Sequence, residues 1–314
     1  MITVTYLNNR KKTVIVTVIK VPYLTQTCTM RFIVLLLAAL QFSLVYGVPR
    51  VNISDLIRGG EFQPGKPEIV AFTRSDINAR TYGFFCGGTI LNTKYVLTAA
   101  HCTKMMKGED LAKVTVHAGL TALNQLLTVG TQYSAIKSVI IHEKFNSTTL
   151  ENDIAIIELA TGFQYTPTVK PVRISILDLV TELVPDQTVY VMGYGNTESL
   201  KGSNMDLRYV KVNVFNRDQC KNIYQDLLAR VTAESLCTYT KGKGSLNGDS
   251  GGPVFYSQEN AITKKYEEWQ VGIVSFSQKD NNGDAVEGYP DVALRTSPYC
   301  TWISINTKWS FLCS

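Results

Sequence analysis

Past residue 60 the chain is written in short β-rich runs broken by turn residues, and this texture restricts its fold more than any other feature. Thr89 to Leu97, Val114 to His117, Ser138 to His142, Ile154 to Leu159, Val189 to Met192, Tyr209 to Val214 and Gln270 to Phe276 are such runs. Branched and aromatic side chains suit a pleated, half-buried surface, while Gly, Asn, Asp and Pro supply the tight connections between them. Spacing of this kind predicts a barrel or sandwich. Long amphipathic helices are absent until Tyr299 to Leu312, where Trp302, Ile305, Trp309 and Leu312 fall at helical spacing. Thr166 to Pro171, with two prolines and no strong pattern, is the expected connector between two halves.

The 314 residues allow one or two domains with ample chain for a core. A formal net charge of +5 suggests acidic partners until its location is considered. Residues 1–56 carry six bases (Arg10, Lys11, Lys12, Lys20, Arg31, Arg50) against Asp55 alone, which leaves 25 bases and 25 acids in residues 57–314. The main body is formally neutral, so nucleic-acid binding has no electrostatic support.

The front has the form of a targeting segment. Met30-Arg31 gives a basic start, Phe32 to Leu44 an apolar run, and Val45-Tyr46-Gly47 a small-x-small exit. Residues 30–47 are therefore an expected secretory signal peptide, cut after Gly47. The run is short for a bilayer span and contains Gln41 and Ser43, which argues against a retained membrane anchor. Residues 1–29, with a weaker apolar patch around Val14 to Ile19, make little sense ahead of it. The expectation is an untranslated or removed leader, with translation beginning at Met30. Cys28 goes with that leader, leaving Cys86, Cys102, Cys220, Cys237, Cys300 and Cys313. An even number in an exported chain implies disulfides. No Cys-x-x-Cys or His-x-x-x-His clip suggests zinc. Asn52-Ile53-Ser54 and Asn146-Ser147-Thr148 are glycosylation sequons.

Gly248-Asp249-Ser250-Gly251-Gly252-Pro253 carries the chemistry. Glycines let the backbone turn sharply and approach closely, so Ser250 can face a cleft with bare N–H groups beside it. That is a nucleophile's setting in acyl transfer, but serine needs a base. Of the three histidines, His142 lies at an ordinary strand end and His117 within a strand run. His101 follows Leu97-Thr98-Ala99-Ala100 and precedes Cys102, which fixes it at the edge of a cleft. An orienting carboxylate must be buried and hydrogen bonded. Asp153, at the mouth of the apolar run Ile154-Ala155-Ile156-Ile157, is the candidate.

Taken together, Thr98-Ala99-Ala100-His101-Cys102, Asn152-Asp153-Ile154-Ala155 and the Ser250 hexapeptide resemble the triad motifs of chymotrypsin-like serine proteases, in that family's order. The resemblance covers residues 57 to about 311. It implies an all-β fold: two Greek-key six-stranded β-barrels packed face to face (about 57–170 and 171–296) and a C-terminal helix over about 299–312. By the same resemblance His101 takes the proton from Ser250, Asp153 holds the imidazole, and the amides of Gly248 and Ser250 form the oxyanion hole. Ser275 matches the strand that lines the substrate backbone, and Ser277 lies on the same stretch.

The family is made as inactive precursors, activated when a new N-terminal ammonium pairs with the Asp before the nucleophile. Here the match is Ile57-Arg58-Gly59-Gly60 with Asp249. Arg58 stands where valine is usual, and Leu56 precedes the cut. Cleavage is expected between Leu56 and Ile57, by a chymotrypsin-like or elastase-like activator, with residues 48–56 as propeptide. Cys86 with Cys102 and Cys220 with Cys237 match two family bridges. A third, beside the specificity pocket, is missing: Leu246 fills its first position. Cys300 and Cys313 stay unexplained, because thirteen helical residues span about 20 Å and bridged Cα atoms lie ~6 Å apart. They pair only if the helix starts late or the tail folds back, and an intermolecular bond is the other option.

Gly244 occupies the usual pocket floor, which removes a trypsin's carboxylate, while Asp291 stands on the back wall. Lys241 to Asn247 with Asp291 resembles the brachyurin, collagenase-like branch. Gly119 to Gly130 lacks the clustered carboxylates of a calcium loop, so no metal and no cofactor are expected. The resemblance thus implies a secreted serine endopeptidase of chymotrypsin-like or broad preference, with trypsin-like preference through Asp291 as the alternative. Its partners would be protein and peptide substrates, an activating protease and protein inhibitors, with no nucleic acid and no membrane. A homologue that binds without cutting is the competing class.

Overall fold

The computed structural model describes residues 2–8, 12–18, 58–76, 83–126, 128–176, 183–195, 206–260, 263–280 and 285–314. Leu56, Ile57 and Asn52 lie outside these, as do the expected signal peptide and propeptide. The chain divides into two compact units, Met1–Ile53 and Ser54–Ser314. In the first, β1 (Ile2–Asn8) and β2 (Lys12–Val18) form an antiparallel pair, with Ile2 opposite Val18 and Asn8 opposite Lys12.

The second unit holds both expected barrels. β4 (Ile69–Arg74), β5 (Phe84–Ile90), β6 (Tyr95–Thr98), β7 (Val114–Ala118), β8 (Gln132–Ile141) and β9 (Ala155–Leu159) close in the order β4-β5-β6-β9-β8-β7. The second barrel uses β10 (Thr188–Gly193), β11 (Arg208–Val214), β12 (Ser235–Tyr239), β13 (Pro253–Glu259), β14 (Tyr266–Phe276) and β15 (Asp291–Arg295). They run β10-β13-β14-β15-β12-β11, closed by a β10–β11 pairing, and β3 (Glu61–Phe62) adds to β11. Closure leaves few unpaired backbone edges. The alternation seen in the sequence is realised in β11, where Val210, Val212 and Val214 turn inward while Lys211 faces solvent. Each such valine contributes about 1.5–3 kcal/mol through burial.

Two expectations change. Thr89 to Leu97 is not one strand, because a turn at Leu91–Lys94 separates β5 from β6. The Asn92 side chain makes that turn by accepting from the amides of Lys94 and Tyr95. The C-terminal helix is also shorter than its apolar spacing suggests. It spans Cys300–Asn306 (α2, after α1 at Arg217–Ile223), and Lys308 and Trp309 then adopt positive φ of 55° and 59°. Trp309 and Leu312 are consequently exposed. The tail folds back until Ser314 N donates to Ile174 O, and Cys313 meets Cys300 in a disulfide with Cα atoms 5.9 Å apart.

The barrels touch through backbone as well as side chains. Gly87 N in β5 donates to Ser250 O at 2.8 Å, and Thr89 Oγ1 donates to Gln270 Oε1 at 2.7 Å. A Cβ on Gly87 would lie 3.2 Å from Gly252 Cα. Close approach is possible because neither residue has a side chain there. The catalytic candidates gather along this seam.

Candidate active site

His101 is placed by the exit from β6. Thr98, Ala99 and Ala100 are fully buried, and Ala99 is extended before a 3₁₀ turn over Ala100–Met105. Cys102 ties the turn to β5 through Cys86, with Cα atoms 6.2 Å apart. The Cys220–Cys237 disulfide does the same between α1 and β12 in the second barrel. One group of potential metal ligands, Cys86, His101 and Cys102, lies together among the described residues. Its sulfurs are joined in the disulfide and offer no thiolate.

Asp153 enters from the other side of the same barrel. Leu150 and Asn152 have positive φ of 58° and 54°, and this tight turn aims Asp153 inward just before β9. Tyr299 OH holds Asn152 Oδ1 at 2.9 Å. The Asp153 carboxylate is fully buried, so it needs donors. It has three. His101 N donates to Oδ1 at 2.8 Å, His101 Nδ1 lies 2.7 Å from Oδ2, and Ser275 Oγ donates to Oδ2. An Nδ1–H held by a carboxylate leaves Nε2 as the acceptor.

The Ser275 side chain is committed to Asp153. β14 and β15 pair Val274 with Ala293 and then Phe276 with Val292, so a bulge leaves Ser275 unpaired. Bulges re-aim side chains. This one turns the hydroxyl onto Asp153, 122 residues away in sequence.

Ser250 sits on a turn gripped from both barrels. Its carbonyl accepts from Gly87 N, and the next amide, Gly251 N, donates to Val274 O at 2.8 Å. Gly251 has φ 75°, and a Cβ there would come within 2.5 Å of Gly87 O. Gly248, at φ 101°, is equally committed to glycine, with Phe84 3.0 Å from where a Cβ would be. Among the described residues neither the Gly248 nor the Ser250 amide donates to a protein atom, so both are free to meet an incoming oxygen. No hydrogen bond joins Ser250 Oγ to His101 Nε2 here. Such contacts are often loose until substrate arrives.

Asp249, beside the nucleophile, is fully buried. Gly195 N donates to its Oδ1 at 2.9 Å and Leu246 N to its Oδ2 at 2.8 Å. Burial pushes this carboxyl up to about 6, and the two amides only partly oppose it. Arg58, the first described residue after Ile57, is already docked. Its carbonyl accepts from Gly244 N at 3.2 Å, and its guanidinium pairs with Glu287 at 2.6 Å.

The pocket residues come together as a unit. Asp291 points inward: its Oδ2 accepts from Ser245 N at 2.5 Å, with the Ser277 hydroxyl facing the same carboxylate. A Cβ on Gly244 would lie 2.6 Å from Asp291 Oδ2. The two residues are therefore in close contact, and a side chain at 244 would have to displace the Asp291 carboxylate. Burial pushes the Asp291 carboxyl up, and the strongest influence against that is the Lys279 ammonium. Lys279 was not evident from sequence, although a lysine three residues past Phe276 of β14 was visible.

The remaining histidines have structural surroundings. His117 is buried, with Nε2 3.0 Å from Thr73 Oγ1, and burial lowers it to about 4. His142 packs against Tyr299 and Trp302. Asn146 is exposed in a turn where its Oδ1 accepts from the amides of Thr148 and Thr149, so those bonds do not use its Nδ2.

No helix among the described residues is long and apolar enough to cross a membrane. Comparison with known proteins gives a consistent assignment. Alkaline trypsin C of Manduca sexta is 32% identical over 277 residues, which cover 87% of this chain and 98% of the relative. Chymotrypsin-2 of Vespa crabro is 32% identical over 231 residues, 73% of this chain and 92% of the relative. A CLIP domain-containing serine protease of Bombyx mori, HP8, is 30% identical over 235 residues, 71% of this chain and 61% of that protein. The family model named Trypsin matches residues 57–303, which take in both barrels and every candidate residue above from His101 onward, so the chain belongs to the trypsin family of serine proteases.

Proposed function

We propose that the chain is a secreted serine endopeptidase, made as a zymogen, that works through His101, Asp153 and Ser250. The observation that carries this reading is the buried Asp153 carboxylate held 2.7 Å from His101 Nδ1, with Ser250 on the facing turn between two unengaged amides. His101 Nε2 takes the proton of Ser250 Oγ as that oxygen attacks the substrate carbonyl carbon. The carbonyl oxygen gains the negative charge and is received by the amides of Gly248 and Ser250. Collapse breaks the C–N bond, the amine leaves with the proton from His101, and water then hydrolyses the acyl-enzyme by the reverse roles. Specificity is chymotrypsin-like or broad, since Gly244 gives the floor no charge.

Activation cuts between Leu56 and Ile57, and the new ammonium pairs with Asp249. Support comes from the buried, elevated carboxyl of Asp249 and from Arg58 already lying against Gly244. The partners are an activating protease, protein substrates and protein inhibitors.

Fluorophosphonate labelling before and after controlled cleavage tests both statements. Ser250 is expected to take up label only after cleavage, with Ile57 as the new N-terminus. An N-terminus at Gly59 would overturn the activation site. No labelling of the Ile57 form would favour a homologue that binds without cutting.

A further inference from the structure

The pocket already contains a cation from its own chain. After Phe276 the backbone around Lys279 is fixed: Val286 N donates to Gln278 O at 3.0 Å, and Lys279 bridges to Ala285. Gln278 N in turn donates to Tyr224 OH at 3.2 Å. From here the Lys279 side chain reaches Ser245, where Nζ donates to Ser245 O at 2.9 Å. The amide of the same Ser245 donates to Asp291. Ser245 is buried and Lys279 half-buried, and carboxylate and ammonium hold this one residue from its two backbone ends.

A lone carboxylate in a partly buried pocket strongly favours a cationic guest, because desolvation must be offset by an opposite charge. Here the chain supplies that charge. A tethered cation also competes at an effective concentration of about millimolar or above, so a substrate's Lys or Arg must displace it from both Ser245 O and the field of Asp291. An uncharged side chain has no such competition. Gly244 leaves the floor without a side chain, and the ammonium can stay at the wall.

We propose that Lys279 is a specificity-determining residue: its ammonium is the resident counter-ion of Asp291 and turns a pocket built for basic side chains into one that takes uncharged ones. This rests on the reading of the site as a protease active site. It also reconciles a carboxylate on the pocket wall with chymotrypsin-like preference.

The test compares cleaved wild type, Lys279→Gln and the double variant Lys279→Gln/Asp291→Asn on Arg and Leu reporter peptides. The ratio of kcat/KM for Arg over Leu is independent of the fraction of enzyme that is active. It is expected to rise at least ten-fold in Lys279→Gln and to fall back in the double variant. Benzamidine titrated calorimetrically into cleaved Ser250→Ala protein reads the pocket without turnover, and should bind at least ten-fold tighter when Lys279→Gln is added. An unchanged ratio with unchanged benzamidine affinity overturns the proposal, as does a wild type that already prefers Arg. If the enzyme proves inactive, the endopeptidase reading fails while the benzamidine result still judges Lys279.

Discussion

Two aspartates, both fully buried and each one residue or less from the proposed chemistry, are handled in opposite ways. Asp153 receives three hydrogen bonds, two from His101 and one from Ser275, and its surroundings are complete in the folded chain. Asp249 receives two backbone amides and, among the described residues, no side-chain donor. Its carboxyl is pushed up to about 6 by burial. A buried carboxylate without a close cation is an unfinished structure. The His101–Asp153 pair is thus finished, closed by Ser275 from the second barrel, whereas Asp249 beside the nucleophile keeps a charge waiting for a partner. That asymmetry fits the proposed activation, in which the proton-transfer pair is preassembled and proteolysis is left to supply one ammonium.

The sharpest way to break this comparison is Asp153→Asn. Its geometry survives, but an amide NH₂ facing Nδ1 forces the wrong imidazole tautomer, and kcat should fall about 10⁴-fold. Single-turnover acylation of the cleaved enzyme would measure it. A loss of less than ten-fold would mean that Asp153 does not orient His101.

Asp249→Asn should separate the two forms of the chain. In the cleaved enzyme it removes the ammonium's partner, and losing the ordered oxyanion amides lowers turnover by about 10²–10³. In the precursor the effect is on stability and runs the other way. Asp249 is raised from an ordinary 3.8 to about 6, so its favourable contribution is complete below pH 3.8 and is lost as pH rises through 6. At about 1.4 kcal/mol per pH decade, the loss by pH 7.5 is about 3 kcal/mol. An asparagine stays neutral throughout. Urea unfolding of Ser250→Ala precursors, with and without Asp249→Asn, should show their stability difference change by about that much between pH 3.5 and 7.5, in favour of asparagine at the higher pH. His117, lowered to about 4, titrates in an overlapping window with the opposite sign but is common to both proteins and cancels. No divergence would mean that Asp249 is not an unmet charge in the precursor.

Features made by neighbours in sequence were legible, and features made by distant ones were not. His101, Asp153 and Ser250 each announce themselves through the residues that hold them: paired alanines and a cysteine, an apolar strand, a set of glycines. Valine alternation likewise marked β11. By contrast, the Ser275 hydroxyl reaches Asp153 only because a bulge in β14 turns it, and register shifts leave no trace in composition. No motif surrounds Lys279, because its target, Ser245, is 34 residues away in sequence. Some signals were present and unused. Asn92 is a turn former in the middle of what read as one strand. The apolar spacing of Trp309 and Leu312 imitated a helix that the backbone ends at Asn306.

Arg58 offers the finest test of the contrast between the aspartates. In the sequence it puts a charge where the family's valine is usual, next to Ile57. In the structure its guanidinium pairs with Glu287, which also accepts from Tyr239 OH at 2.9 Å, and its carbonyl holds Gly244 N. The arginine therefore has its own anchorage at the pocket rim and does not need an apolar slot. Glu287 is 45% exposed and the arginine 18%, so solvent screens the pair and it contributes little. Its loss should change how well the cleaved end docks by no more than about five-fold. Arg58→Val and Glu287→Gln should each slow fluorophosphonate labelling of the cleaved enzyme by no more than that, and the double variant should be no worse than either alone. Asp249→Asn, in the same assay, should cost at least ten times more. If Arg58→Val instead proved as damaging as Asp249→Asn, capture of the ammonium would depend on the segment that carries it as much as on the buried charge that awaits it.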